Sequence, residues 1–175
     1  MLKGFSCAVG VELSAQNAPK LNMLLSRTAI DMGRQVSAVK DVFKRKRPYL
    51  IEPGKICVPP SVLLDASPDY PSGHATWGWS MSLILAELAP DHATPILNRG
   101  RAFGESRVVC GVHSPSAVDA GRTNGASLIA TLHGQSAFRA DLEAAREELA
   151  ALRAKAAPMP ASCAGSLAMD AQAVF

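Results

Sequence analysis

Apolar residues recur at helical spacing along nearly the whole chain, and no segment longer than four residues alternates apolar with polar as a half-buried strand would. The pattern predicts an all-α fold, a helical bundle. From Pro19 onward Leu21, Leu24, Leu25, Ala29, Met32, Val36, Val39 and Phe43 track one face of a long helix. That helix should end near Pro48, because the residue before a proline avoids helical angles. Lys40 and Arg47, seven apart, would then share a face near its end. The helical pattern resumes at His74 and runs to about Leu88, with Trp77, Met81, Ile84, Leu85 and Leu88 on the apolar side and Pro90 closing it. A third helix is expected from Ala93 to about Cys110. A fourth starts with Ser114 as N-cap and Pro115 at its first position and continues to Leu132, where His133-Gly134 reads as a C-terminal cap. Ser136 begins a last helix through Lys155, with Leu142, Leu149 and Leu152 inward and its charges on a solvated face.

Between these helices, residues 49–73 are rich in Pro, Gly, Ser and Asp and predict a long irregular connection. A loop of that length inside a compact domain is usually functional. Residues 156–175 are Ala, Pro and Ser with little periodicity, which predicts a flexible tail after a helical domain spanning 1–155. No internal repeat is present.

Composition narrows the picture further. With 175 residues, 48% of them hydrophobic, the chain can bury about two thirds of its unfolded surface and needs no metal or cystine framework merely to fold. The formal charge of +3 is too small to argue for nucleic-acid binding, and part of the basic excess sits in the run Lys44 to Arg47. Read alone, that run is a solvated loop. The longest apolar candidate, Ala75 to Ala86, is twelve residues, well short of the ~20 needed to span a bilayer. The N-terminus has no apolar core or cleavage site of a signal peptide. Cys7, Cys57, Cys110 and Cys163 are scattered, with no CxxC pair, which argues against structural zinc and leaves every pairing, or four free thiols, open.

Three short segments carry groups that bind or transfer a phosphoryl unit: Lys40-x6-Arg47-Pro48, Pro71-Ser72-Gly73-His74, and Ser106-Arg107-x5-His113. Ser72 and Gly73 sit where a loop enters a helix, so free N–H groups and the positive helix end can receive an anion. His74 would stand at the rim, able to give or take a proton near neutral pH. Arg107 has the side chain best shaped to grip two phosphate oxygens, although alone it reads more simply as a surface residue paired with Glu105 or Asp119. Two histidines joined by Lys40, Arg47 and Arg107 make a site that could bind a trianion and attack it. His92 and His133 lack such support and read as structural or solvent-facing, and Trp77 and Trp79 as packing residues.

At these residues the chain resembles the acid phosphatase and vanadium haloperoxidase superfamily that includes the type 2 phosphatidic acid phosphatases. The family pattern is K-x6-RP, then PSGH, then SR-x5-H-x3-D, and ten of its eleven specified residues occur here in order. Wider likeness in Phe5-Ser6-Cys7-Ala8, Tyr70 to His74, Ser106 to Gly111 and Asp119-Ala120-Gly121-Arg122 is to the class A bacterial acid phosphatases. The resemblance covers roughly Phe5 to Leu152 and implies a metal-free, cofactor-free, two-step hydrolysis of phosphomonoesters. Carried over position by position, His113 would attack phosphorus and form a phosphohistidine, and His74 would protonate the leaving oxygen and later activate water. Lys40, Arg47, Arg107, Ser72 and the Gly73 N–H would hold the phosphoryl oxygens, with vanadate competing for the same pocket. It also implies a periplasmic or secreted location and further helices before this region. Against that pattern the chain reads as N-terminally shortened, and shortening would expose apolar faces that a homo-oligomer could cover.

One position departs from the pattern. The aspartate expected four residues after the nucleophilic histidine is Ala117. That carboxylate orients the imidazole, and losing it can cost orders of magnitude in rate. Asp119 is the nearby candidate for the role, although two positions along a regular helix turn a side chain about 200° away, and the simpler reading pairs it with Arg122 or a neighbouring helix. A phosphate-binding relative with impaired turnover is therefore the alternative to an active phosphatase. A vanadate-dependent peroxidase and a polybasic nucleic-acid module rank below both.

Overall fold

Serine caps and prolines at first helical positions set most element boundaries in the computed structural model, which describes residues 2–172. After a 3₁₀ turn, Leu2–Phe5, come α1 (Ser6–Val9), α2 (Pro19–Phe43), α3 (Pro48–Ile51) and α4 (Val62–Ala66). Then follow α5 (Gly73–Leu88), α6 (Ala93–Val109), α7 (Pro115–His133), α8 (Ser136–Ala154) and α9 (Ser162–Asp170). No strand occurs among the described residues, so the fold is all-α as the periodicity requires. No helix among them is long and apolar enough to cross a membrane.

The central element is α5. Its sequence, GHATWGWSMSLILAEL, is apolar on every side, as a helix surrounded by others must be. Met81, Ile84 and Leu85 are fully buried and meet Leu21 and Leu24 of α2, Ile96 of α6, and Leu142 and Leu149 of α8 in one core. On its other sides α5 approaches α6 and α7 through small residues. A Cβ added at Gly100 would lie 2.2 Å from Ser82 Oγ, and one at Gly121 would lie 2.6 Å from the Ser72 carbonyl oxygen. Both distances are below any tolerable contact, so these glycines are what lets the backbones close. A backbone bond from Ser72 N–H to the Ala117 carbonyl, 2.9 Å, then joins the start of α5 to the start of α7.

Three expectations change. The long helix stops at Phe43, because Lys44 takes a left-handed conformation (φ 46°), and Arg47 lies in extended backbone before α3. Lys40 and Arg47 therefore do not share a helix face but meet across a loop. The connection over 49–73 contains the two short helices α3 and α4, the latter capped by Ser61, which accepts from Leu64 N–H at 3.1 Å. The tail expected to be loose carries α9, held by the Cys7–Cys163 disulfide and by Arg99 and Arg101, which donate to Asp170. Positions 173–175 of that tail lie outside the described residues. A second disulfide, Cys57–Cys110, ties the α3–α4 loop to the end of α6, so all four cysteines are paired.

Close helix contact makes a stability prediction. Gly121→Ala forces a methyl into the α5 backbone and should cost about 1–3 kcal/mol in urea unfolding. Gly33→Ala, mid-helix with open space around it, should instead stabilise by about 0.5–1 kcal/mol. Equal effects at both positions would refute the packing argument.

Candidate active site

His113 follows Gly111, whose φ of +76° turns the chain between α6 and α7, and its side chain is almost wholly buried. A Cβ at Gly111 would also press the Lys55 carbonyl at 3.1 Å. His113 Nδ1 lies 2.8 Å from Asp69 Oδ1 and Nε2 lies 3.2 Å from Arg47 Nη1. A carboxylate only accepts and a guanidinium only donates, so the proton belongs on Nδ1 and the lone pair on Nε2. Burial pushes the His113 pKa down, opposed by the Asp69 bond.

Asp69 is 1% exposed, and every hydrogen bond to its carboxylate comes from a donor. Oδ1 also receives Ser114 N–H at 3.2 Å, while Oδ2 receives Ser114 Oγ at 2.8 Å and Arg45 Nε at 2.9 Å. Burial alone would raise its pKa, but the bonds from His113 and Ser114 hold it below the usual carboxylate range. Arg45 in turn donates to Ser114 Oγ at 2.6 Å and stacks 4.8 Å above the Tyr70 ring. Asp119, the candidate suggested by chain proximity, does not reach the imidazole. It is largely exposed and pairs with Arg122 on its own helix, as the 200° rotation between positions demands.

The cations converge from separate elements. Arg47 is 5% exposed and is held by carbonyls: Nε donates to Leu64 at 3.0 Å and Ser67 at 2.8 Å, and Nη1 to Val112 at 2.8 Å. Lys40 Nζ donates to Ser67 Oγ at 3.1 Å and to the Pro68 carbonyl, and Ser67 Oγ also lies 3.4 Å from Arg47 Nη2. Burial and then Arg47 push the Lys40 pKa down to about 8. Arg107 pairs with neither Glu105 nor Asp119. Glu105 takes Arg101 and Arg122, and the buried Arg107 Nε has no hydrogen-bond partner among the described residues. A buried cationic donor left without an acceptor is costly unless a ligand supplies one.

Ser72 caps α5, its Oγ accepting from Ala75 N–H at 3.3 Å. Its own N–H is taken by Ala117, which leaves Gly73 and His74 as the open donors at the helix start. At Gly73 an added Cβ would meet only Val36 at 3.6 Å, an ordinary contact, so the fold itself does not demand glycine there. His74 opens to solvent and stacks near Phe103. Partial burial, and then repulsion from Arg107, His113, Arg47 and Lys40, push its pKa down to about 4.

Lys40, Arg47, Arg107 and His113 thus lie within electrostatic range of His74, beside Ser72 and Gly73, whereas Asp119 lies apart and Ser106 is exposed, its hydroxyl donating to the Phe103 carbonyl. Asp69 and Arg45 were missed. Asp69 had read as part of a Ser-Pro-Asp turn and Arg45 as part of a solvated basic run, and nothing in either local pattern signals a contact with residue 113. His92 donates to the Ala8 carbonyl at 3.1 Å and His133 faces Glu87 at 3.1 Å, both away from the site. Trp77 packs against Phe5 and Phe103. Three cations, two open N–H groups and an imidazole lone pair are groups suited to receiving an anion and attacking it.

Comparison with known proteins agrees with that chemistry. Residues 20–140 match the sequence profile of the PAP2 superfamily. An acid phosphatase of Zymomonas mobilis subsp. mobilis is 43% identical over 157 residues, covering 89% of this chain and 60% of its own. A non-specific acid phosphatase of Providencia stuartii is 35% identical over 151 residues, covering 85% and 61% respectively. One from Salmonella typhimurium is 36% identical over 147 residues, covering 83% and 59%. The chain therefore spans about 60% of the length of these relatives.

The cation ring sets a measurable linkage. An anion placed among Arg107, Arg47 and Lys40 offsets their repulsion of His74 and raises its pKa from about 4, so binding must take up protons. Sulfate, which does not itself titrate near pH 5, should bind with uptake approaching one proton, read by calorimetry in buffers of different ionisation enthalpy. The uptake should vanish in His74→Asn. Binding without uptake in the unsubstituted protein would overturn this account of the site.

Proposed function

The chain belongs to the PAP2 superfamily, and on that premise we propose that it is an acid phosphatase hydrolysing phosphomonoesters, without a metal, through a phosphohistidine on His113. The observation that carries this reading is the buried imidazole whose Nε2 lone pair faces the cations while a carboxylate holds its other nitrogen. In the first step Nε2 attacks phosphorus and the P–N bond forms as the P–O bond to the leaving group breaks. His74, protonated once the phosphate dianion is bound, gives its proton to the departing oxygen. In the second step neutral His74 takes a proton from water, whose oxygen attacks phosphorus, and the P–N bond breaks to return His113 and release inorganic phosphate.

Lys40, Arg47 and Arg107, with the Gly73 N–H and the Ser72 hydroxyl, hold the three non-bridging oxygens while charge redistributes. Arg47 must exchange its contact with Nε2 for a phosphoryl oxygen before attack, a small rotation because its Nε stays anchored to Leu64 and Ser67. Vanadate, which adopts a five-coordinate form like the transition state, should occupy the same groups. An impaired, binding-only pocket was the alternative suggested by Ala117. The carboxylate already bonded to His113 supports turnover instead. Two disulfides support a periplasmic or secreted location, where thiols oxidise.

Hydrolysis of p-nitrophenyl phosphate from pH 4 to 8 tests the proposal. Turnover should survive EDTA, be blocked by vanadate, and fall as pH rises through the pKa of His74 in the substrate complex. His113→Ala should lose on the order of 10³-fold or more in kcat and trap no phosphoenzyme. Near-normal hydrolysis by that variant would sink the nucleophile assignment.

A further inference from the structure

We infer that Asp69 is the positioning residue for His113, fixed in that role by Arg45 and Ser114. The inference deepens the proposed function, but its geometry stands apart from any assay. Asp69 comes from the loop before α5, forty-four positions from the histidine it meets. Its Oδ1 bridges His113 Nδ1 and Ser114 N–H, so the imidazole plane and the start of α7 are set by one atom. Its Oδ2 is gripped by Arg45 and the Ser114 hydroxyl, which prevents rotation of the carboxylate about its own axis. The loop is itself tied down, since Asp69 N–H donates to the Arg45 carbonyl at 2.7 Å.

This clamp also explains how Ala117 can be tolerated. Ala117 is fully buried, and its N–H donates to Ser114 Oγ. The imidazole already gives its Nδ1–H to a carboxylate, so a second one at 117 would be buried without that donor. Asp69 touches no substrate in this arrangement. It acts through His113 by keeping the proton on Nδ1 and the lone pair on Nε2.

Asp69→Asn tests this directly. The Arg45 guanidinium, charged and 2.9 Å from Oδ2 through two nitrogens, requires an acceptor there more strongly than the single 3.2 Å Ser114 N–H requires one at Oδ1, so the amide should turn its NH₂ toward His113 and drive the ring proton to Nε2. NMR of the imidazole nitrogens, with His113→Ala for assignment, should show that tautomer change. The kcat for p-nitrophenyl phosphate should fall about 10²- to 10⁴-fold with KM little altered. Asp119→Asn should change neither readout. A folded Asp69→Asn protein that keeps both the Nδ1-protonated ring and its kcat would overturn the inference. If that variant does not fold, two others decide. Arg45→Met should lower kcat about tenfold and mix the tautomers, and Ala117→Asp should give no gain in rate. A tautomer unmoved in Arg45→Met, or a tenfold gain in Ala117→Asp, would refute the role of Asp69. Should the unsubstituted protein prove inactive on phosphomonoesters, the functional proposal fails while the NMR arm still judges Asp69.

Discussion

The close approach of α7 to α5, made possible where Gly121 lies against the Ser72 carbonyl, is the constraint on which the site depends. Helices separated by ordinary side chains sit 8–10 Å apart, too far for one backbone to bond another. Here the Ser72 N–H reaches the Ala117 carbonyl directly. The anion-receiving end of α5 is thereby fastened beside the start of α7, immediately after His113. Gly100 does the same for α6 against Ser82, and α6 carries Arg107. The start of α5, Arg107 and the start of α7 thus inherit their spacing from two helix contacts.

What fills that space is positive charge under restraint. Arg47 is nearly buried, yet its guanidinium is met by the carbonyls of Leu64, Ser67 and Val112. Carbonyls solvate a cation without neutralising it. The site can therefore keep three cations close together, and burial first, then the repulsion among these charges, pushes His74 down to about 4 and Lys40 down to about 8. On the proposed function, a phosphate entering would offset that repulsion, and substrate binding and the readiness of His74 as general acid would be one electrostatic event.

The loop over 49–73 has two duties in this scheme. Through Ser67 and Pro68 it receives Lys40 and Arg47, and through Asp69 it receives His113. The Cys57–Cys110 disulfide anchors its far side to the turn that also contains Gly111, so both ends of the imidazole environment are connected covalently. That arrangement gives physical content to the expectation that a long Pro- and Ser-rich connection is functional. Its residues contribute carbonyls and a carboxylate, neither of which has a sequence signature of its own.

The helices were legible in the sequence because 3.6-residue periodicity, Pro115, the Ser114 cap and the break at Pro90 are local instructions, and local geometry obeys them; the end of α2 at Lys44, short of Pro48, was not. The three motifs were legible for a related reason: a phosphoryl group can be held and attacked by only a few side-chain types, and Lys40, Arg47, Ser72, Gly73, His74, Arg107 and His113 are of those types at the spacing the family uses. Tertiary structure alone decided the rest. Sequence proximity favoured Asp119 as the partner of His113, but helix rotation carries it to Arg122, and chain folding brings Asp69 in from forty-four positions away. The disulfide pairs and the seating of α9 were undetermined for the same reason, since each joins positions that share no periodicity and meet only after the core has formed. Periodicity records which face of a helix is buried; only packing determines what that face meets.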